Sequence, residues 1–309
     1  MKYSKNTLNF ETEHRSVITL GKFDGLHRGH MLLVNRILDI GKKEGLETVI
    51  FTFSVPPASR VANQPAHMLL TNEERRLQLE ELGVDLLVEC PFDDSVMRME
   101  PERFIEEILV GKLHASCVVV GSDFRFGYHR RGDAAMLELL GPAMGFRTEV
   151  IPKAREDGRE ISSTWIKEEL RKGHMDKVGH LLGYSYAVRE EIVHGRALGR
   201  TIGVPTINQI PVREKMLPPY GVYVSETEVC GRTFYGMTNI GVKPTVHEKF
   251  TGVETYLFDC GLDLYGETAT VKLLHFQRKE QKFPSVEALR QQLKKDEAEA
   301  KQYLEESGV

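Results

Sequence analysis

Apolar residues follow two different rhythms along this chain. From Ser16 to about Leu182, short apolar runs alternate with longer amphipathic stretches, which is the pattern of a parallel sheet wrapped in helices. The predicted strands are Val17–Leu20, Thr48–Phe53, Asp85–Cys90, Cys117–Val120 and Thr148–Ile151, most of them rich in β-branched residues. The predicted helices are Gly29–Lys43, Glu73–Leu82, Pro101–Val110, Ala134–Met144 and Ser163–Lys172. In the first of them Leu33, Ile37 and Ile40 recur at offsets of four and three, which sets them on one face.

After Leu182 the chain changes to short alternating runs separated by Gly and Pro, with no long helical stretch before Ser285. That rhythm predicts antiparallel strands at Tyr186–His194, Gly221–Val229, Thr233–Ile240, Val253–Asp259 and Thr268–Phe276, with a hairpin turn at Cys230-Gly231. Five or six such strands generally close into a small barrel, which removes their edges. Ser285–Leu304 reads as one amphipathic helix packed on that barrel.

A length of 309 residues exceeds what one core usually organises, so two domains are expected, 1–182 and 183–309. With 41% hydrophobic and 28% charged residues and a formal net charge of −4, the chain has no general polyanion-binding character, and nucleic acid is not an expected partner. There is no secretory leader pattern and no apolar run of about 18 residues. The expectation is a cytoplasmic protein with no membrane partner. Cys90, Cys117, Cys230 and Cys260 lack the close paired spacing of a zinc site and are expected to be reduced thiols.

The segment Gly21-Lys22-Phe23-Asp24-Gly25-Leu26-His27-Arg28-Gly29-His30 follows a strand and opens a helix. A βα unit presents unpaired backbone N–H groups at that point, which suits an anion such as phosphate. Glycines permit a sharp turn and close approach, while imidazoles three residues apart can donate hydrogen bonds to phosphoryl oxygens as charge builds on them. Losing one such donor costs about 100-fold to 1000-fold in rate in other preorganised anion sites. The plainer alternative is a surface histidine pair at a helix start.

This segment resembles the His-x-Gly-His signature of the cytidylyltransferase-like nucleotidyltransferases. The resemblance narrows downstream, because Gly121-Ser122-Asp123-Phe124-Arg125-Phe126-Gly127 and Ile161-Ser162-Ser163-Thr164-Trp165-Ile166-Lys167 are similar, in order and spacing, to two motifs of the bacterial bifunctional riboflavin kinase and FAD synthetase family. It implies that His27 and His30 contact ATP phosphates, with Gly21, Phe23, Asp24, Gly25 and Gly29 shaping the nucleotide site. Asp123 and Arg125 would line the adenine and flavin side, and Ser163, Thr164 and Lys167 would help to hold phosphates. A serine at this position also serves as an ordinary helix cap.

Gly195-Arg196-Ala197-Leu198-Gly199-Arg200-Thr201-Ile202-Gly203-Val204-Pro205-Thr206-Ile207-Asn208 is too glycine-rich to predict a regular strand, and reads either as a loop over phosphates or as a structural turn. A Thr hydroxyl and an Asn carbonyl are suitable oxygen ligands for Mg²⁺, which keeps several waters. The segment resembles the Gly-hydrophobic-Pro-Thr-x-Asn motif of riboflavin kinases, which implies a phosphate loop with Gly195, Gly199 and Gly203 and a metal-facing pair, Thr206 and Asn208. Asn239–Thr245 and Val253–Leu257 resemble later motifs of the same domain, and Glu254 is the implied base for the ribityl 5′-hydroxyl. Its alternative is an ordinary outward-facing charge. Arg278, with Glu280 and Phe283, matches a further motif, where a surface ion pair is the other reading.

The pattern departs from the family at Thr52-Phe53-Ser54-Val55-Pro56-Pro57, where Thr-Phe-Asp-Pro-His-Pro is usual, and at Lys167, where arginine is usual. Tyr184-Ser185-Tyr186 and Glu190 differ as well. The resemblance implies an α/β plus all-β chain: a Rossmann-like nucleotidyltransferase domain, then a six-stranded antiparallel β-barrel with a C-terminal helix. The implied function is phosphorylation of riboflavin to FMN and adenylylation of FMN to FAD, with ATP as co-substrate and Mg²⁺ as cofactor. A kinase-only enzyme and a non-catalytic flavin- or nucleotide-binding regulator are the alternatives.

Overall fold

The computed structural model describes residues 1–54, 67–195, 203–244 and 249–308, without the side chains at 243, 244, 249 and 250. Val55, Pro56, Pro57, Gly199 and Thr245 lie outside the described residues. The chain divides into two compact units, Met1–Ser163 and Thr164–Val309.

In the first unit, β1 (Lys2–Lys5), β2 (Ser16–Leu20), β3 (Glu47–Phe53), β4 (Leu86–Cys90), β5 (Ala115–Gly121) and β6 (Arg147–Ile151) form a wholly parallel sheet in the order β1-β4-β3-β2-β5-β6. Alternate residues of the central strands go to opposite faces, and both faces are covered. Ile18, Leu20, Val49, Phe51, Val88, Val118 and Val120 pack with Phe104, Ile105, Ile108 and Leu109. On the other face Val17, Ile50, Leu87, Cys117 and Val119 meet Leu33, Val34, Ile37 and Ile40 of α1 (Arg28–Glu44) and Leu79 of α2 (Asn72–Glu81). Helix α1 stops at Gly45, whose φ of 66° is the left-handed conformation that ends helices. Helix α2 starts at Thr71 with a complete capping box to Glu74.

Two of the other predicted helices differ from expectation. Pro101–Phe104 starts as an α-turn and continues as a π-helical segment, Ile105–Lys112. Helix α3 (Ala134–Leu140) ends before Pro142, which opens a short 3₁₀ turn. Helix α4 (Ser163–Lys172) matches its expected bounds, and a further helix, α5 (Met175–Leu182), follows it. Strand β1 lies outside the predicted elements, because Lys-Tyr-Ser-Lys carries no strand pattern of its own.

The second unit holds β7 (Ala187–Glu191), β8 (Thr206–Gln209), β9 (Gly221–Val229), β10 (Arg232–Pro244), β11 (Lys249–Leu257) and β12 (Thr268–Lys279). They form an antiparallel sheet in the order β7-β12-β9-β10-β11-β8. The two edges meet. Val193, just past β7, bridges Asn208 of β8, and Gln209 Nε2 donates to the carbonyls of Glu190 and Ala269, both at 2.8 Å. The β9–β10 turn is Cys230-Gly231 as expected, with φ of 51° and 68°, the two positive values that a tight hairpin turn requires. Helix α6 (Val286–Ser307) lays Ala300 and Leu304 on Val222, Val224 and Met237. The expectation that Thr206–Asn208 belongs to a glycine-rich loop is corrected: the segment is a strand, held by its pairing with β11 despite the glycines before it.

All four cysteines are free thiols.

Candidate functional site

Strand order gives the first site its place. The chain runs outward from β2 through β3 to β4, then returns to β5 on the other side of β2, so the order reverses between β2 and β5. Open parallel sheets bind ligands outside the carboxyl ends of the strands at such a reversal. Gly21 follows β2 and Gly121 ends β5, so the histidine motif and the Gly121–Gly127 motif start side by side.

Between β2 and α1 the backbone makes a compact turn with positive φ at Phe23 (47°), Gly25 (93°) and Leu26 (37°). Burial fixes it: Phe23 and Leu26 are essentially inaccessible. Asp24 Oδ1 accepts from Leu69 N at 2.7 Å, and the Asp24 carbonyl accepts from Ser163 Oγ at 2.7 Å. The Ser163 hydroxyl therefore ties the start of the third motif to the first. Thr164 and Lys167 follow on α4, within the second compact unit.

His27 is the N-cap of α1, and its Nδ1 accepts from His30 N at 3.3 Å. It is only 5% exposed, so the reading of a surface pair does not hold. In a neutral imidazole with Nδ1 accepting, the proton lies on Nε2, which leaves Nε2–H as a donor. The two rings stack with centroids 3.7 Å apart, and the Phe23 ring centre lies 5.2 Å from that of His30. Burial pushes His27 down to about 4, against the opposing pull of Asp24. Burial first, then the repulsion that a protonated His27 would add and the charge of Arg75, hold His30 well below the usual imidazole range. Both rings are neutral near pH 7, and His30 Nδ1 is a buried polar atom with no protein partner.

Asp123 is salt-bridged to Lys153 at 2.9 Å, and Lys153 also reaches Glu160 at 2.7 Å. Arg125 donates to the Phe124 carbonyl at 3.0 Å and lies 3.6 Å from Asp133.

The second site is written in strand register. On β8, Thr206 pairs with Tyr256 and Asn208 with Glu254 of β11, and Glu254 also pairs with Asn239 of β10. Residues opposite one another, or two apart on a strand, share a face. Asn208, Glu254 and Asn239 therefore make one polar row, with Thr206 one step along. Tyr256, on the same face, packs with Ala300 and Leu304 of α6, so this is the outer face of the barrel. Asn208 Nδ2 donates to the Thr206 carbonyl at 3.4 Å. A Cβ on Gly195 would come 2.5 Å from Asn208 Nδ2, so only glycine permits the chain to lie that close. Gly203, at φ 79°, is a left-handed turn before β8.

Arg278 is occupied differently from the ion pair considered in the sequence. Its Nε and Nη2 bond both oxygens of Asp296 on α6 at 2.9 and 2.5 Å, and Asp296 is fully buried. Its guanidinium also lies 5.9 Å from the Phe283 ring centre. Glu280 instead accepts from Asn239 Nδ2 at 3.3 Å and lies over Gly241, where a Cβ would collide with its carboxylate. Asn239 stood in a recognised motif, but its place beside Glu254 depends on pairing that the sequence does not display.

Among the described residues no cluster of three or more His, Cys, Asp or Glu could hold a metal ion. The oxygens of Thr206 and Asn208 fit a hard cation whose remaining ligands are phosphates and water.

Comparison with known proteins agrees in both halves. The FAD synthetase family model matches residues 9–165, and the riboflavin kinase family model matches residues 182–304. The bifunctional riboflavin kinase/FMN adenylyltransferase of Escherichia coli (strain K12) is 36% identical over 290 residues, 93% of this chain and 92% of that protein. The Bacillus subtilis (strain 168) protein of the same name is 32% identical over 301 residues, 95% of this chain and 94% of that protein. A crystal structure named as a macrolide-efflux protein from Streptococcus pneumoniae superposes with a TM-score of 0.86 at 31% identity, over 97% of this chain and 98% of that one. It is similar here in fold; among the described residues no helix is long and apolar enough to cross a membrane. Two family models in succession, with relatives of this identity along nearly the whole length, place the chain in the bifunctional riboflavin kinase/FMN adenylyltransferase family.

Proposed function

We propose that two separate sites divide the work of this transferase, the histidine turn serving adenylyl transfer and the Asn208–Glu254 row serving phosphoryl transfer. The chain phosphorylates riboflavin to FMN and adenylylates FMN to FAD, with ATP as substrate of both steps. The observation that carries the division is the pairing of Asn208 with Glu254 on β8 and β11, which sets a carboxylate next to a metal-suited oxygen within the second unit alone.

In the adenylyl step a phosphate oxygen of FMN attacks the α-phosphorus of ATP, and pyrophosphate leaves. His27 Nε2–H and the first-turn amides of α1 donate to phosphate oxygens, which suits the positive end of a helix dipole. Neutral rings are the right starting state, since two cations stacked at 3.7 Å would repel each other. Gly21, Phe23, Asp24, Gly25 and Gly29 shape this turn, and Ser163 fastens it. Asp123 and Arg125 border the same end of the sheet, and Thr164 and Lys167 continue the phosphate-binding motif.

In the kinase step Glu254 orients the ribityl 5′-hydroxyl and accepts its proton as the γ-phosphoryl group moves. Mg²⁺, held by Thr206 and Asn208, would neutralise phosphate charge. Gly195, Gly199 and Gly203 belong to the loop over the phosphates. Arg278, fixed by Asp296, keeps the end of β12 beside this row.

We take the adenylyltransferase domain as 1–182 and the kinase domain as 183–309, a division supported by the riboflavin kinase match that begins at residue 182. Helix α4 from Thr164 onward, and α5, fall within 1–182 but belong to the second compact unit. The setting is cytoplasmic. The assignment is tested by giving FMN to a Glu254→Gln chain and riboflavin to a His27→Ala/His30→Ala chain. Each variant should retain the step the other loses.

A further inference from the structure

Behind the histidine turn lies a buried ion pair that neither chemical step uses. Arg75 of α2 and Glu89 of β4 are in direct contact, with side chains only 4% and 0% exposed. Glu89 stands in an otherwise apolar strand, Leu-Leu-Val-Glu-Cys, and its other oxygen accepts from Tyr3 Oη of β1 at 2.6 Å. Arg75 Nη2 also reaches Asn72 Oδ1 at 3.0 Å, and Asn72 Nδ2 donates to the Ser54 carbonyl at 2.9 Å. Arg75 Nη1 donates to the carbonyl of Lys22 at 3.3 Å, where Thr52 Oγ1 also donates at 3.4 Å.

Lys22 immediately precedes Phe23, one of the two non-glycine residues that this turn holds at positive φ. Such backbone is unfavourable for a side-chain-bearing residue and persists only where its surroundings fix it. A buried ion pair is in general no more stabilising than a well-packed apolar pair, so stability alone is a weak reason for one here.

We propose that Arg75 and Glu89 are positioning residues for adenylyl transfer: the fork of Arg75, oriented by Glu89, holds the Lys22 carbonyl and thereby the turn that presents His27 and His30. The inference rests on the reading of those histidines as phosphate contacts. The charge of Arg75 acts in the same direction, adding to the burial that chiefly keeps His30 neutral. The signal in the sequence was the lone glutamate inside an apolar strand.

The test uses the full chain and three variants. Arg75→Met leaves Glu89 buried without its cation and should lower the melting temperature. Arg75→Met/Glu89→Leu removes both charges and should recover it, because the unpaired charge is what destabilises. Under a positioning role the double variant, although stable again, converts FMN to FAD with kcat lowered by about ten- to a hundredfold. KM for ATP changes much less, and riboflavin phosphorylation is unaltered. Recovery of adenylylation together with the melting temperature would make the pair purely structural and overturn the proposal. His27→Ala/His30→Ala runs beside them: if it makes FAD normally, the reading of the site fails, and the proposal with it.

Discussion

Asn208 and Glu254 face each other directly across the β8–β11 ladder, although 45 residues of chain separate them. That pairing sets the amide oxygen and the carboxylate on one outer face of the barrel, with Thr206 two residues along β8.

Glu254→Gln keeps the shape of the side chain and removes the carboxylate. Riboflavin phosphorylation should fall by at least about 100-fold, while FAD formation from supplied FMN stays near that of the unmodified chain. Near-normal FMN production would remove Glu254 from the chemistry. Asn208→Ala should raise the Mg²⁺ concentration needed for half-maximal kinase rate, with the Mg²⁺ dependence of adenylylation unchanged; equal dependence in both assays would exclude Asn208 as a ligand.

The histidines make stability sensitive to acid. Burial lowers His27 from 6.5 to about 4 in the folded chain, so the neutral ring favours folding fully above about 6.5, and this contribution is lost as pH falls through 4. A shift of that size corresponds to a contribution on the order of 3 kcal/mol. Between pH 7 and pH 4 the melting temperature of the unmodified chain should fall more than that of His27→Gln. Parallel curves would show that His27 is not held neutral by the fold.

Arg278 and Asp296 join β12 to α6 across a buried contact. Arg278→Met strands the Asp296 carboxylate and should cost about 3 kcal/mol, read as a lower midpoint in urea, with kinase activity lost as α6 detaches. Pairing it with Asp296→Leu should restore the midpoint. An unchanged midpoint in the single variant would mean that the contact contributes nothing to the packing of α6.

The parts that were legible in the sequence are those whose pattern is local. Leu33, Ile37 and Ile40 announce α1, alternation announces β9, and Cys230-Gly231 announces its turn because two adjacent residues carry the whole geometry. Strand β8 was hidden because Gly203 and Pro205 read as a loop, and only the ladder with β11 makes Thr206–Gln209 a strand. Strand β1 was hidden for a related reason: Lys2–Lys5 takes its structure from the edge of β4. For the site, His27 and His30 stand in one contiguous motif and could be found. Glu89 stands out as a lone charge in an apolar run and Asn239 belongs to a motif, but their pairings with Arg75 and Glu254 depend on partners distant in sequence. Arg278 was found as a motif residue, but its engagement with Asp296 depends on how α6 packs.

The boundary between the working parts is open to direct test. Residues 183–309 contain every residue placed in the kinase row, yet His275 lies 3.9 Å from Asp176 of α5, and Tyr303 Oη donates to the same carboxylate at 3.4 Å. A fragment of residues 183–309 should phosphorylate riboflavin unaided, and one of residues 164–309 should do so with a higher melting temperature. An inactive shorter fragment beside an active longer one would move the domain boundary to residue 164.

The central claim, two ATP-using sites in one chain acting in succession, is tested most directly by product analysis. The purified protein is incubated with riboflavin, ATP and Mg²⁺, and riboflavin, FMN and FAD are separated by chromatography over time. FMN should appear first and FAD after it, with ADP released in the first step and pyrophosphate in the second. Accumulation of FMN with no FAD at any time, or failure to consume riboflavin at all, would contradict it.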